Sequence, residues 1–273
     1  MDKIIEYMLA EDEGFGDITS NSVVDESLEV NAYIISKDEG ILAGIDVARD
    51  IFTNYGVNVD YWMKDGSEIH KNDLLMSVKG NGRIILLLER TVLNLIMRMS
   101  GVATGAKNFV ELVEGKVRIA GTRKTSPAIA KFDKYALTVG GADTHRFSLD
   151  DMVLIKDNHI ATCNSPLDAL KKAQKNISFS KKIEIEVGTL DDAIECVKQG
   201  ADIVMLDNMS SDEVKEVIDA LNELNIRSNS LIEVSGGINE KNILEYVDLG
   251  IDIISIGALT HNSRSLDFSL KFE

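Results

Sequence analysis

With 273 residues and a formal net charge of −16, the chain has length for one large core or two unequal ones. Its acidity excludes nucleic acid and anionic membranes as partners, since both need a broad basic face. Residues 1–6 open an acidic amphipathic helix rather than a signal peptide, and no apolar run reaches the ~18 residues of a membrane span. The expectation is a cytoplasmic protein. Cys163 and Cys196 lack metal-ligand spacing and read as small packing residues rather than a disulfide.

In chain order, a helix at about 2–10 is followed by Gly14-Phe15-Gly16-Asp17-Ile18-Thr19 and strand-like runs at 31–36, 57–62 and 73–79. Asp65-Gly66 and Gly80-Asn81-Gly82 are turn signals. A long helix at about 84–99 repeats Leu88, Val92, Leu95 and Met99 on one face, with Arg90, Asn94 and Arg98 opposite. For Arg90 the plain reading is solvation or an ion pair with Glu89. Residues 1–115 thus read as a smaller N-terminal α+β sandwich domain.

From about Lys116 the rhythm changes to short β-branched runs alternating with helical stretches. The runs are 117–120, 152–155, 183–187, 203–206, 231–234 and 253–256. Helices are expected at about 128–138, 164–176, 190–199, 211–224 and 239–248. Parallel strands need crossovers of this length, and six or seven units predict an incomplete or TIM-like α/β barrel over 116–261 rather than an open doubly wound sheet. The tail, 262–273, is expected to pack on the N-terminal domain.

Three basic dyads stand out in this acidic chain: Arg123-Lys124, His145-Arg146, and Lys156 with His159. Like charges gathered in one place repel unless an anion neutralises them, so they predict a small, multiply anionic ligand. The polar residues after the strands would share the C-terminal rim of the barrel. Ser235-Gly236-Gly237 and Gly257-Ala258 are suited to binding phosphate through backbone amides. Glu186 and Asp207 end neighbouring strands, where they would hold Mg²⁺, bond sugar hydroxyls, or pair with Arg123, Lys124 or Lys156. Neither His145 nor His261 has the partners of a nucleophilic triad, and no nucleotide-loop or zinc spacing occurs. What remains is electrostatic catalysis on an anionic substrate.

These residues fall in blocks that resemble the quinolinate phosphoribosyltransferases, also called carboxylating nicotinate-nucleotide pyrophosphorylases. The blocks are Gly121-Thr122-Arg123-Lys124-Thr125, Thr144-His145-Arg146-Phe147, the run from Leu154 to Ile160, Met205-Leu206-Asp207-Asn208-Met209, Ser235-Gly236-Gly237-Ile238 and Gly257-Ala258-Leu259-Thr260-His261. Glu11-Asp12, Gly16-Asp17-Ile18-Thr19 and Glu89-Arg90-Thr91 extend the likeness over nearly the whole chain.

The resemblance implies that quinolinate and phosphoribosyl pyrophosphate react, with Mg²⁺, to give nicotinate mononucleotide, pyrophosphate and CO2. It implies that Arg123, His145, Arg146 and Lys156 hold the two carboxylates of quinolinate. Arg90 would come from the second subunit of a homodimer. Lys124 and Lys156 would contact the phosphorylated sugar or pyrophosphate, and Glu186 and Asp207 the ribose hydroxyls and Mg²⁺. Ser235, Gly236, Gly257 and His261 would form the 5'-phosphate end.

Departures occur at Ala128 and Ala130, where the family usually has Gly and Arg, and at Ala142, the third position of a glycine triplet. Two alternative enzymes are a related molybdenum-operon protein and another phosphosugar barrel enzyme. A non-catalytic phosphate sensor would account for the dyads but not for Glu186 and Asp207 beside them.

Overall fold

The computed structural model describes residues 2–273; Met1, where the signal-peptide reading began, lies outside them. The chain divides into two compact units. One comprises the chain through Lys107, Thr125–Gly141 and Leu259–Glu273; the other comprises Asn108–Lys124 and Ala142–Ala258.

The first unit opens with α1 (Lys3–Glu13), whose N-cap Asp2 accepts the Ile4 N–H at 2.9 Å. Asp17 of the Gly-Asp-Ile-Thr block caps α2 (Ile18–Val23), accepting from the amides of Thr19 and Ser20. Both caps satisfy amides that a first helical turn leaves without partners. Then follow β1 (Glu29–Ser36), β2 (Gly40–Ile41), α3 (Ile45–Asn54), β3 (Asn58–Tyr61), β4 (Glu68–Ile69) and β5 (Leu74–Asn81). The main sheet has the antiparallel order β12-β1-β5-β3, with β12 formed by Phe268–Phe272. The C-terminal tail therefore completes the first sheet. Alternate residues Ala32, Ile34 and Ser36 of β1 are buried, the period-two pattern of a strand with one face on a core.

Helix α4 (Gly82–Leu112) is longer than its sequence pattern predicts. Leu88, Val92, Leu95 and Met99 are buried as expected, but the opposite face is not simply solvated. Thr91 is buried, and Arg98 donates to Asp133 through Nε and Nη2, both at 2.8 Å. The helix also continues through Gly101, a residue that weakens isolated helices. Tertiary packing explains the glycine: a Cβ at Gly101 would lie 1.9 Å from the carbonyl oxygen of Arg264.

Helix α5 (Ala130–Val139), which the alternating rhythm assigns to the barrel, clusters with the first unit. Its fully buried Asp133 is the Arg98 partner and also accepts from the Thr125 hydroxyl. Ala128, where the family usually has Gly, keeps a left-handed backbone with φ 69°. The family's third glycine position, Ala142, is buried and is not among the left-handed residues. Gly140, in contrast, tolerates no Cβ, which would meet the Ala103 oxygen at 2.3 Å. The substitutions thus fall unevenly, with strain at Ala128 alone. Ala128→Gly is expected to raise stability by about 0.5–1 kcal/mol, because relief of the left-handed Cβ clash exceeds the entropy that glycine adds to the unfolded chain. Thermal or urea unfolding checks this.

The second unit contains β6 (Arg118–Ala120), β7 (Val153–Ile155), α6 (Asp157–Ile160), α7 (Pro166–Asn176), β8 (Ile183–Val187), α8 (Leu190–Gln199), β9 (Ile203–Asp207), α9 (Ser211–Glu223), β10 (Leu231–Ser235) and β11 (Ile253–Ser255). Helix α10 (Ala258–His261) follows. The strands are parallel in the order β6-β11-β10-β9-β8-β7. β6 and β11, the first and last strands of this sheet in chain order, are neighbours, so this is a barrel interrupted between β6 and β7. There a bridge from Ala120 to Asp143 puts residues after Gly141 beside β6. The helix expected over 239–248 is only a 3₁₀ turn, Ile243–Glu245. Side chains compete for its backbone: Asn242 accepts the Asn239 amide, and Asn239 accepts that of Lys241. Among the described residues no helix is long and apolar enough to cross a membrane.

Candidate active site

Strand periodicity sets the interior of the barrel. Glu184 and Glu186 face one way from β8, Met205 and Asp207 from β9, and Glu233 and Ser235 from β10. The register places Asp207 beside Ser235 and Ser235 beside Ser255, so these three share one level at the C-terminal rim. Lys156, just beyond β7, donates to Glu186 Oε2 at 2.5 Å. Its side chain remains 43% exposed. Asp207 accepts from Asn208 Nδ2 at 2.5 Å.

The Gly-Gly turn after β10 is built against Asn208. The Asn208 amide donates to the Ser235 carbonyl at 2.9 Å, and Asn208 is itself left-handed with φ 55°. Gly236 has φ 95°, and a Cβ there would lie 2.2 Å from Asn208 Oδ1. Glycine is therefore required by both conformation and space. Arg123 and Lys124 are exposed in the loop after β6, where the Lys124 amide donates to Thr122 Oγ1 at 3.0 Å.

The His145-Arg146 dyad does not follow a strand; it fills the interruption of the barrel. His145 adopts φ 55° and points inward, its ring Nε2 lying 3.2 Å from Glu233 Oε2 and 3.3 Å from Glu184 Oε2. Its Nδ1 accepts the Arg146 amide at 2.8 Å. Both nitrogens are engaged, so the ring contact with quinolinate that the resemblance implies is not preset here. Burial lowers the pKa of His145, but the hydrogen bonds and charges of Glu184 and Glu233 overcome it and push it up to about 10. While Nδ1 accepts that N–H, the ring carries a proton on Nε2, facing the two acids.

Arg146 lines a cavity of about 360 Å³ together with Arg118, Ile203, Leu231 and Ile253, which begin their strands. The dyad thus borders the N-terminal mouth of the barrel as well as its interior. Burial first, and then the charge of Arg123, lower the Arg146 pKa, while Glu184 and Asp151 oppose the shift. A part-buried guanidinium under the influence of a second cation makes a place where an added dianion is stabilised. Arg90 and His261 belong to the first unit. Both are exposed, and Arg90 lies 3.8 Å from Glu89.

Sequence reasoning passed over Glu233 and Asp133 and preferred Glu186 to Glu184. Glu233 had a readable signal, a lone acid between Ile232 and Val234 in an otherwise apolar strand. Asp133 had none, because its partner Arg98 is remote in sequence.

The C-terminal domain profile of quinolinate phosphoribosyl transferases matches residues 102–271, and the N-terminal domain profile matches residues 17–100. The chain belongs to the quinolinate phosphoribosyltransferase family. A relative from Methanocaldococcus jannaschii, named as a probable carboxylating nicotinate-nucleotide pyrophosphorylase, is 45% identical over 98% of this chain and 95% of its own. The Rattus norvegicus carboxylating nicotinate-nucleotide pyrophosphorylase is 36% identical over 92% of this chain and 84% of its own. The crystal structure of NadC from Streptococcus pyogenes superposes with a TM-score of 0.92 at 35% identity, covering 100% of this chain and 96% of that one. These names favour the family's own reaction over the molybdenum-operon and other phosphosugar readings.

Proposed function

We propose that the protein transfers the phosphoribosyl group of phosphoribosyl pyrophosphate to quinolinate with decarboxylation, giving nicotinate mononucleotide, pyrophosphate and CO2. This reaction serves de novo NAD biosynthesis. The observation that carries the reading is the charge of Arg123 acting on the part-buried Arg146 guanidinium, two cations that adjacent carboxylates neutralise together. Arg123 and Arg146 bind the dicarboxylate, with Lys156 at the rim. His145 supports Arg146 from within.

The ring nitrogen attacks the anomeric carbon as pyrophosphate leaves, through a transition state with positive charge on the sugar. Glu186 and Asp207 favour that charge and orient the ribose hydroxyls, while Lys124 and Lys156 favour the leaving pyrophosphate. Ser235, Gly236, Gly257 and His261 hold the 5'-phosphate. After transfer the ring nitrogen is cationic and stabilises the electron pair left on the adjacent ring carbon as its carboxylate departs as CO2, and a proton from water then takes up that pair. Glu186 and Asp207 are hard oxygen donors on the same interior face of neighbouring strands, which suits Mg²⁺ shared with substrate oxygens. Bound there, Mg²⁺ would neutralise charge on the pyrophosphate.

The active unit is a homodimer in which Arg90 of one protomer completes the site of its partner. The acidic surface and the family's soluble substrates support a cytoplasmic location. Purified protein supplied with quinolinate labelled in its 2-carboxyl group, phosphoribosyl pyrophosphate and Mg²⁺ is expected to release label as CO2 in step with nicotinate mononucleotide. Release of label without the nucleotide, or neither product, rejects the reading.

A further inference from the structure

Glu184 and Glu233 are fully buried acids on apolar strands, and among the described residues they form, with His145, the one group of three or more potential metal-ligating side chains within 4.8 Å. Glu233 Oε2 lies 3.2 Å and Glu184 Oε2 3.3 Å from His145 Nε2, while Glu184 Oε1 and Glu233 Oε1 are buried without a hydrogen-bond partner. Buried carboxyl groups need a donor to offset their desolvation, so both acids act on this one ring nitrogen.

The ring geometry also decides against a metal. A metal on Nε2 would move the ring proton to Nδ1, where it would confront the Arg146 amide at 2.8 Å. The cluster instead leads from two acids, through one ring, to the backbone of Arg146.

We propose that Glu184 and Glu233 are positioning residues of the dicarboxylate pocket: their carboxyl groups seat the His145 ring at Nε2, and Nδ1 of that ring holds the Arg146 amide and so fixes where the guanidinium meets the substrate. This rests on the quinolinate reading above. The left-handed His145 backbone supports it, since a non-glycine residue keeps that conformation only where its surroundings determine it.

The test is steady-state kinetics on Glu233→Ala, Glu184→Ala and Glu184→Gln beside the wild-type protein. Glu233→Ala and Glu184→Ala are expected to raise the quinolinate KM about tenfold or more while the phosphoribosyl pyrophosphate KM stays within about twofold. Glu184→Gln, which keeps the shape and an oxygen facing Nε2, should recover most of the loss. An unchanged quinolinate KM in the alanine variants, a parallel rise in both KM values, or no recovery by Glu184→Gln would overturn the proposal. Should the alanine variants not fold, Glu233→Asp decides, because it draws the carboxyl group back from Nε2: a rise confined to the quinolinate KM supports the proposal, and no change or a parallel rise overturns it. Absence of quinolinate turnover by the wild type would instead reject the functional reading, and the substrate assigned here with it.

Discussion

Mixing an Arg90→Ala variant with an Arg123→Ala variant is expected to restore activity that neither has alone. On the proposed roles each substitution removes a cation that meets a substrate carboxylate, a loss of about 2–5 kcal/mol and so roughly 30- to 5000-fold in kcat/KM. In a hybrid dimer one site lacks both arginines and the other has both. Random pairing makes half the dimers hybrid, each with one intact site of two, so about a quarter of the wild-type rate should return. Arg90 is exposed on α4, and at 3.8 Å its contact with Glu89 is too long for a tight ion pair, so little holds it from a partner. Subunit exchange, followed by mass-tagged protomers, must accompany the assay. Exchange without recovery would mean that each site draws Arg90 from its own chain or does not use it.

Gly101→Ala is expected to be the most destabilising single-methyl change in α4. On helix propensity alone it would stabilise by about 1 kcal/mol. The added Cβ, however, would stand 1.9 Å from the Arg264 carbonyl oxygen and 3.1 Å from the Ser265 Cα, and both obstacles are backbone. The segment they belong to is fixed by the Leu266 amide, which donates to the Met97 carbonyl at 3.1 Å, and by β12 paired to β1. Relief requires the C-terminal segment to lift from the helix, at a cost of about 3 kcal/mol or more. For a chain of this size that corresponds to roughly 6–12 °C in Tm. A variant as stable as the wild type would show that the segment does not lie against Gly101.

The contrast between propensity and packing at Gly101 also explains what the sequence reveals and what it conceals. Alternating strands and helices declare the barrel because each short β-branched run is buried on both faces, and Ile183–Val187 and Ile203–Asp207 appear where their runs predict. Rim residues are legible for the same reason: Lys156, Asp207 and Ser235 each follow or close such a run. Long-range pairings are not. Nothing in the sequence pairs Arg98 with Asp133 before α4 and α5 meet, and the helix expected over about 84–99 runs on through Gly101 to Leu112. His145-Arg146 shows the same limit. Its residue types predicted an anion pocket, but its place in the gap between β6 and β7, with Nε2 against Glu233 and Glu184, depends on a left-handed turn at His145 that the local sequence does not announce.

The central claim is that the pocket requires two adjacent carboxylates, and the most direct test is the ratio of kcat/KM for quinolinate to that for nicotinate, with phosphoribosyl pyrophosphate and Mg²⁺ held saturating. Nicotinate lacks the 2-carboxylate and leaves part of the Arg123 and Arg146 charge uncompensated, so the ratio is expected to be about 10³ or greater. A ratio near one would contradict the account.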